Sequence, residues 1–208
     1  MAIDTNRSSN TLCIDGGGMN DVDVPDPRKA DAMNAFEELV AGLLRREGYW
    51  THQSYKVVLS KQDKVRIGKP SLPRIEIDIL GYRASTNTLL WVECKSYLDS
   101  TGVSLSNFDA ENGRYKIFAN NELRSVATKQ LILQATKSGL ALRDPKVEYW
   151  LVAGHIARES RLGLQRRFDS EGWILLTDEW IANHLKAMAG DAYEDDVAMI
   201  VAKLSRTV

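Results

Sequence analysis

The stretch from Arg74 to Lys95 constrains this chain more than any other. Residues 74–83 alternate, with Ile75, Ile77 and Ile79 on one face and Arg74, Glu76 and Asp78 on the other. A period of two is the signature of a strand with one face packed and one face polar. Residues 89–95 form a second strand, apolar until its last residues Glu93, Cys94 and Lys95, and residues 84–88 supply a hairpin-like turn between the two. Glu93 and Lys95 share a face. If the strands pair as antiparallel neighbours, Glu76, Asp78, Glu93 and Lys95 converge on a sheet that is otherwise apolar. Such a cluster is costly to bury alone, so it has to meet a counter-ion, solvent or a partner.

The remaining pattern places this hairpin in a mixed α/β domain with one central sheet. Residues 29–47 carry Met33, Phe36, Val40, Leu43 and Leu44 at helical spacing, with Gly48 as a stop. Residues 49–60 read as a strand, and 61–73 as a polar, basic loop containing Gly68, Pro70 and Pro73. After Tyr97 come helices around 108–119 and 122–138, a strand over 147–153, a helix over 160–171, a short strand at 173–176, and a helical end broken near Gly190. Residues 1–27, with Gly16-Gly17-Gly18 and two prolines, read as an irregular arm. Residues 28–208 then form a single domain, with a core over about 30–155 and an α/β extension over 156–208.

Composition narrows the function classes. With 44% hydrophobic and 26% charged residues in 208, the chain can bury a substantial core. No apolar run approaches the roughly 18–20 residues of a membrane-spanning helix, and the first residues lack a secretory layout. Cys13 and Cys94 form neither a disulfide framework nor a metal knuckle, which points to a reducing cytoplasm. The net charge of −1 argues mildly against a nucleic-acid partner. Its distribution argues the other way: Lys61, Lys64, Arg66, Lys69 and Arg74 crowd one segment against Asp63 alone, a set suited to phosphate contacts. Arg114, Lys116, Arg166 and Arg167 are weaker candidates.

Two neighbouring carboxylates suit a hard divalent cation such as Mg²⁺, with Mn²⁺ able to substitute, and a lysine beside them can orient water and stabilise phosphoryl charge. Metal, lysine and water are a sufficient kit for phosphodiester hydrolysis. The bland reading is a salt-bridge ladder of Glu76, Asp78, Glu93 and Lys95 across a solvated sheet face. That ladder accounts for Lys95 better than for two facing acids.

Asp78, fourteen intervening residues and then Glu93-Cys94-Lys95 resembles the D…(D/E)-x-K signature of the PD-(D/E)xK nuclease superfamily. The run Phe36-Glu37-Glu38-Leu39-Val40, ending at Gly48-Tyr49, is similar to the opening helix of its Mrr-type and junction-resolvase-like branches. The resemblance covers roughly residues 30 to 97, and the strand at 147–153 fits the family's αβββαβ order. It implies a restriction endonuclease-like fold and Mg²⁺-dependent endonucleolytic cleavage of DNA leaving 5′-phosphate ends. It implies Asp78 and Glu93 as metal ligands, the Cys94 carbonyl as a further oxygen, Lys95 positioning the attacking water, and Glu37 as a catalytic or metal-supporting carboxylate. Glu37 also shares a helical face with Val40, Ala41 and Leu44, whereas Glu38 lies beside Arg45. The chain departs from the pattern in Ile77 before Asp78. Glu76 is a rival carboxylate, and Gln130, with Gln134, is a further polar candidate on the following helix. DNA, with RNA as the alternative substrate, and a homodimer or partner-protein complex are the expected partners. A catalytically silent nucleic-acid-binding or assembly module with the same fold is the alternative function.

Overall fold

The computed structural model describes residues 34–72, 74–109 and 113–206. The arm over 1–27, Cys13 and Pro73 lie outside the described residues. Asn34 opens α1 (Ala35–Arg46): its side-chain oxygen accepts from the backbone N–H groups of Phe36 and Glu37, satisfying donors that the first helical turn leaves unpaired. Gly48, at φ +82°, turns the chain out of the helix, and β1 (Trp50–Val57) follows.

The expected basic loop is instead interrupted by a helix, α2 (Lys61–Arg66). Ser60 Oγ accepts from the Asp63 N–H at 3.0 Å while Asp63 Oδ2 accepts from the Ser60 N–H at 3.3 Å, a reciprocal capping box. Local capping thus overrides the loop-like composition. The hairpin forms as expected from β2 (Ile75–Arg83) and β3 (Thr88–Lys95), joined by a 3₁₀ turn at Ala84–Thr86 and Asn87 in the left-handed region.

The helix expected over 108–119 shrinks to a single turn, α3 (Lys116–Ala119), preceded by a 3₁₀ turn at Leu105–Phe108. Gly113, where a Cβ would lie 2.3 Å from the Asp109 carbonyl oxygen, marks a close backbone approach ahead of that turn. Then come α4 (Asn121–Lys137), β4 (Lys146–Ala153), α5 (Arg161–Glu171), β5 (Ile174–Leu176), α6 (Asp178–Met188) and α7 (Val197–Ser205). Among the described residues no helix is long and apolar enough to cross a membrane.

The five strands lie in the order β1-β2-β3-β4-β5. The first three pair antiparallel and the last three parallel, giving a mixed sheet. Its central strand, β3, is buried along Thr88–Val92 and at Cys94. Helices cover both faces. On one side α1, α6 and α7 deliver Leu43, Leu44, Ile181, Met188 and Met199 onto Ile79, Leu90, Val92 and Val152. On the other, α4 and α5 deliver Val126, Leu131, Leu164 and Phe168 onto Leu80, Leu89, Trp91 and Leu151. Burial of that apolar surface drives the three layers together.

One expectation about faces fails, and the failure locates the site. Ile75 and Ile77 pack into the α4/α5 layer, but Ile79 packs into the α1/α6/α7 layer, so the three isoleucines do not share a face. The strand turns over at Asp78. On β1, Ser54 sits at the same level, between the pairs Gln53↔Ile79 and Tyr55↔Ile77, and takes φ +49°.

Candidate active site

The pairing of β2 with β3 runs from Arg83↔Thr88 to Ile79↔Val92. Continuing that register would set Asp78 opposite Glu93, but the strands part instead. Below the fork β2 stays paired with β1 through Tyr55↔Ile77 to Val57↔Ile75, while β3 stays paired with β4 through Glu93↔Leu151 to Lys95↔Ala153. A side chain makes the next rung: Asp78 Oδ2 accepts from the Cys94 backbone N–H at 2.8 Å. The N–H and C=O of one strand residue leave the same edge. The Lys95 carbonyl accepts from Gly154 on the β4 side, so the Cys94 carbonyl faces the fork with its N–H.

Into this fork β3 delivers two alternate residues. Lys95 Nζ lies 2.7 Å from Glu93 Oε1 and 3.4 Å from Asp78 Oδ2, bridging the two carboxylates. The Tyr115 ring lies beneath the ammonium, 5.8 Å from it to the centroid. Glu37 approaches from the first turn of α1, where Asn34 Nδ2 donates to its Oε1 at 2.6 Å.

Electrostatics tie these groups together. Burial, and then the negative charge of Asp78, push the Glu93 carboxyl above the ordinary range against the pull of Lys95. Burial and then Asp78 raise Glu37 as well, with Asn34 and Lys95 opposing. For Lys95, burial acts to lower the pKa, but the combined attraction of Glu93 and Asp78 outweighs it and holds the ammonium above its usual value. The Cys94 thiol is pushed well up, by burial and then by Asp78, Glu37 and Glu93, so it stays protonated. It packs among the α1/α6/α7 layer, as its alternate position on the strand requires.

The donor set fits a hard divalent cation. Asp78 and Glu93 both reach one ammonium-sized point, the Cys94 carbonyl faces the same gap, and Mg²⁺ commonly takes one or two carboxylates and keeps several waters. Glu93, which burial and the neighbouring Asp78 charge make reluctant to ionise, gains from a cation. Among the described residues no three acidic, histidine or cysteine side chains come together as an ion cage, and Glu37 stands apart from the Asp78–Glu93 pair. The Asn34 hydrogen bond holds its carboxylate at the rim, where it senses Asp78, Lys95 and Glu76 through charge.

Other expected residues are redistributed. Glu76 is exposed, pairs across to Lys56 on β1, and lines a cleft of about 250 Å³ beside Glu93. Gln130 is not in the site. Its Nε2 donates to Asp63 Oδ2 at 2.8 Å, tying α4 to the start of α2, and Gln134 similarly braces Val58 after β1. The basic set splits. Lys69 and Arg74 line the cleft with Arg114 and Lys116, whereas Lys61, Lys64 and Arg66 ride on α2, where Arg66 pairs with Glu122 at 3.3 Å. Arg167 stacks against Phe108 and donates to its carbonyl, a packing role.

Two contributors escaped the sequence reading. Asn34 had a usable signal, a capping residue three positions ahead of Glu37, but it lies inside the helical run expected over 29–47. Tyr115 had none, since only the tertiary fold brings it under Lys95. No protein-family model, curated protein or solved structure matches the chain.

Proposed function

We propose that the protein is a metal-dependent nuclease of the restriction endonuclease-like type, hydrolysing DNA phosphodiester bonds at the fork between β2 and β3. The observation that carries this reading is the convergence of Asp78, Glu93 and Lys95 where two paired strands separate. The chain order α1, β1, β2, β3, α4, β4 supports it, with α2 and α3 as additions. Asp78, Glu93 and the Cys94 carbonyl would hold Mg²⁺ or Mn²⁺, which when bound supplies Lewis acidity at a phosphoryl oxygen. Lys95, charged and anchored by both carboxylates, donates to an attacking water or to the phosphoryl oxygen and so fixes its direction of approach. Asp78 holds the strand end in place through the Cys94 N–H, and the same oxygen, Oδ2, meets Lys95. Glu37 biases the charge of the gap from the rim.

The test is hydrolysis of labelled single-stranded and duplex DNA in Mg²⁺ or Mn²⁺, with EDTA as the control. Wild-type protein is expected to cut, and Lys95→Ala to cut at least about 100-fold more slowly, the scale of removing one charge-stabilising donor. Salt-sensitive DNA binding without cleavage in any divalent ion would overturn the enzymatic reading in favour of a silent binding module.

A further inference from the structure

The proposed nuclease site opens through Glu93 onto one cleft, which shares Arg114 with a second, and together they point to the form of strand it accepts. The first, of about 250 Å³, lies beside Glu93, with Leu72 and Ile75 on its floor and Lys69, Arg74, Arg114 and Lys116 around it. None of these four cations forms an ion pair with another described residue, although Glu76 and Glu93 share the same lining. The indole N–H of Trp91, another lining residue, is buried with no hydrogen-bond partner among the described residues. The second cleft, of about 260 Å³, is polar, carries Tyr97, Ser100, Thr101 and Asn107, and shares Arg114 with the first.

Each cleft lies just under the size range of small-molecule pockets, about 300–1,000 Å³. Neither seats paired bases, since a base pair spans the duplex from one backbone to the other and is about twice the size of a single base. Each has room for one nucleotide. Resting on the nuclease reading above, we infer that an unpaired strand threads both clefts, with one nucleotide on each side of Arg114. The substrate class is therefore single-stranded or splayed nucleic acid. The first cleft takes a base against its apolar floor and the neighbouring phosphates at its cationic rim. The second offers hydroxyls and an amide to the next sugar and base. Arg114, at the junction, holds the phosphate between them.

The test is binding by the full chain in EDTA, read by fluorescence anisotropy. The probes are a labelled mixed-sequence DNA strand and the same sequence closed into a hairpin duplex. The strand is expected to bind at least about tenfold tighter, the scale of one well-seated base. Its affinity should fall with salt at a log–log slope of about −3, as four cations at about 0.7 each require. Arg114→Glu, at an exposed position, should weaken strand binding about tenfold and flatten the slope by about 0.7 or more. Lys69→Ala is the companion variant from the far rim and should flatten it by about 0.7. Equal affinity for strand and hairpin duplex, or unchanged strand binding in both variants, would overturn the inference. Failure of the nuclease reading registers separately, as no hydrolysis in Mg²⁺ or Mn²⁺. If the strand preference and its dependence on Arg114 persist in that case, the two-cleft assignment stands.

Discussion

Replacing Asp78 separates its structural role from its chemical one. Its carboxylate accepts the Cys94 N–H at 2.8 Å where the backbone ladder has ended, and Cys94 is only 5% exposed. In Asp78→Ala that donor is left with little access to water, at a cost of about 1–3 kcal/mol. Removing the charge also relieves Glu93 and Glu37, both of which Asp78 pushes toward protonation. The weak contact with Lys95 at 3.4 Å is partly solvated and contributes little. The net expectation is a loss of about 1–2 kcal/mol, or about 2–8 °C in Tm for a chain of this size. Asp78→Asn keeps an acceptor and still removes the repulsion, so its stability should stay within about 1 kcal/mol of wild type. Urea denaturation in EDTA at neutral pH, followed by tryptophan fluorescence, measures both. Cleavage in Mg²⁺ should be lost in both variants. If Asp78→Asn destabilises as much as Asp78→Ala, or Asp78→Ala is neutral, the carboxylate is not acting as a rung of the ladder.

Two other substitutions follow from the same geometry. Glu93 has a folded-state pKa above the ordinary 4.5, so its stabilising contribution is present in full below that value and is lost as pH rises through the folded pKa. Glu93→Gln in metal-free protein should therefore match wild type near pH 4 and become the more stable of the two at neutral pH, by about 0.5–2 kcal/mol, while losing cleavage; thermal melts across pH in EDTA would show a widening gap, and a gap that closes with rising pH would refute the charge assignment. Gln130→Ala should leave cleavage within about twofold and cost about 1 kcal/mol through the lost bond to Asp63, checked by paired activity and urea measurements.

What could be read from the residues alone was whatever depends on local period. The alternation in β2, the apolar run of β3, the turn between them and the inward face of α1 all follow from spacing, and they brought Asp78, Glu93, Lys95 and the approach of Glu37 into one neighbourhood. The turnover at Asp78 was hidden because the isoleucine alternation is unbroken across it; what breaks is the pairing, when a carboxylate replaces a backbone acceptor. The composition of α2 is that of a solvated loop, and only its Ser60–Asp63 cap argues otherwise. The places of Gln130 and Tyr115 are set by tertiary contacts, to Asp63 67 residues away and to the Lys95 ammonium on another element, over which no periodicity carries information. Lys69 and Arg74 were separated from Lys61, Lys64 and Arg66 by the same helix that the composition concealed.

The strand order has a consequence for how the chain reaches this state. β2 can zip onto β3 as soon as the hairpin closes, but the far edge of β3 waits for β4, which lies beyond α4 in the sequence. Until then Leu89–Val92, fully or almost fully buried in the finished protein, is an open apolar strand edge of the kind that recruits a second chain. Glu93 and Lys95 are the only charges on that strand, so they also serve as gatekeepers during folding. Neutralising both would remove the Lys95–Glu93 ion pair from the native state and leave a nascent chain more prone to aggregate before β4 arrives.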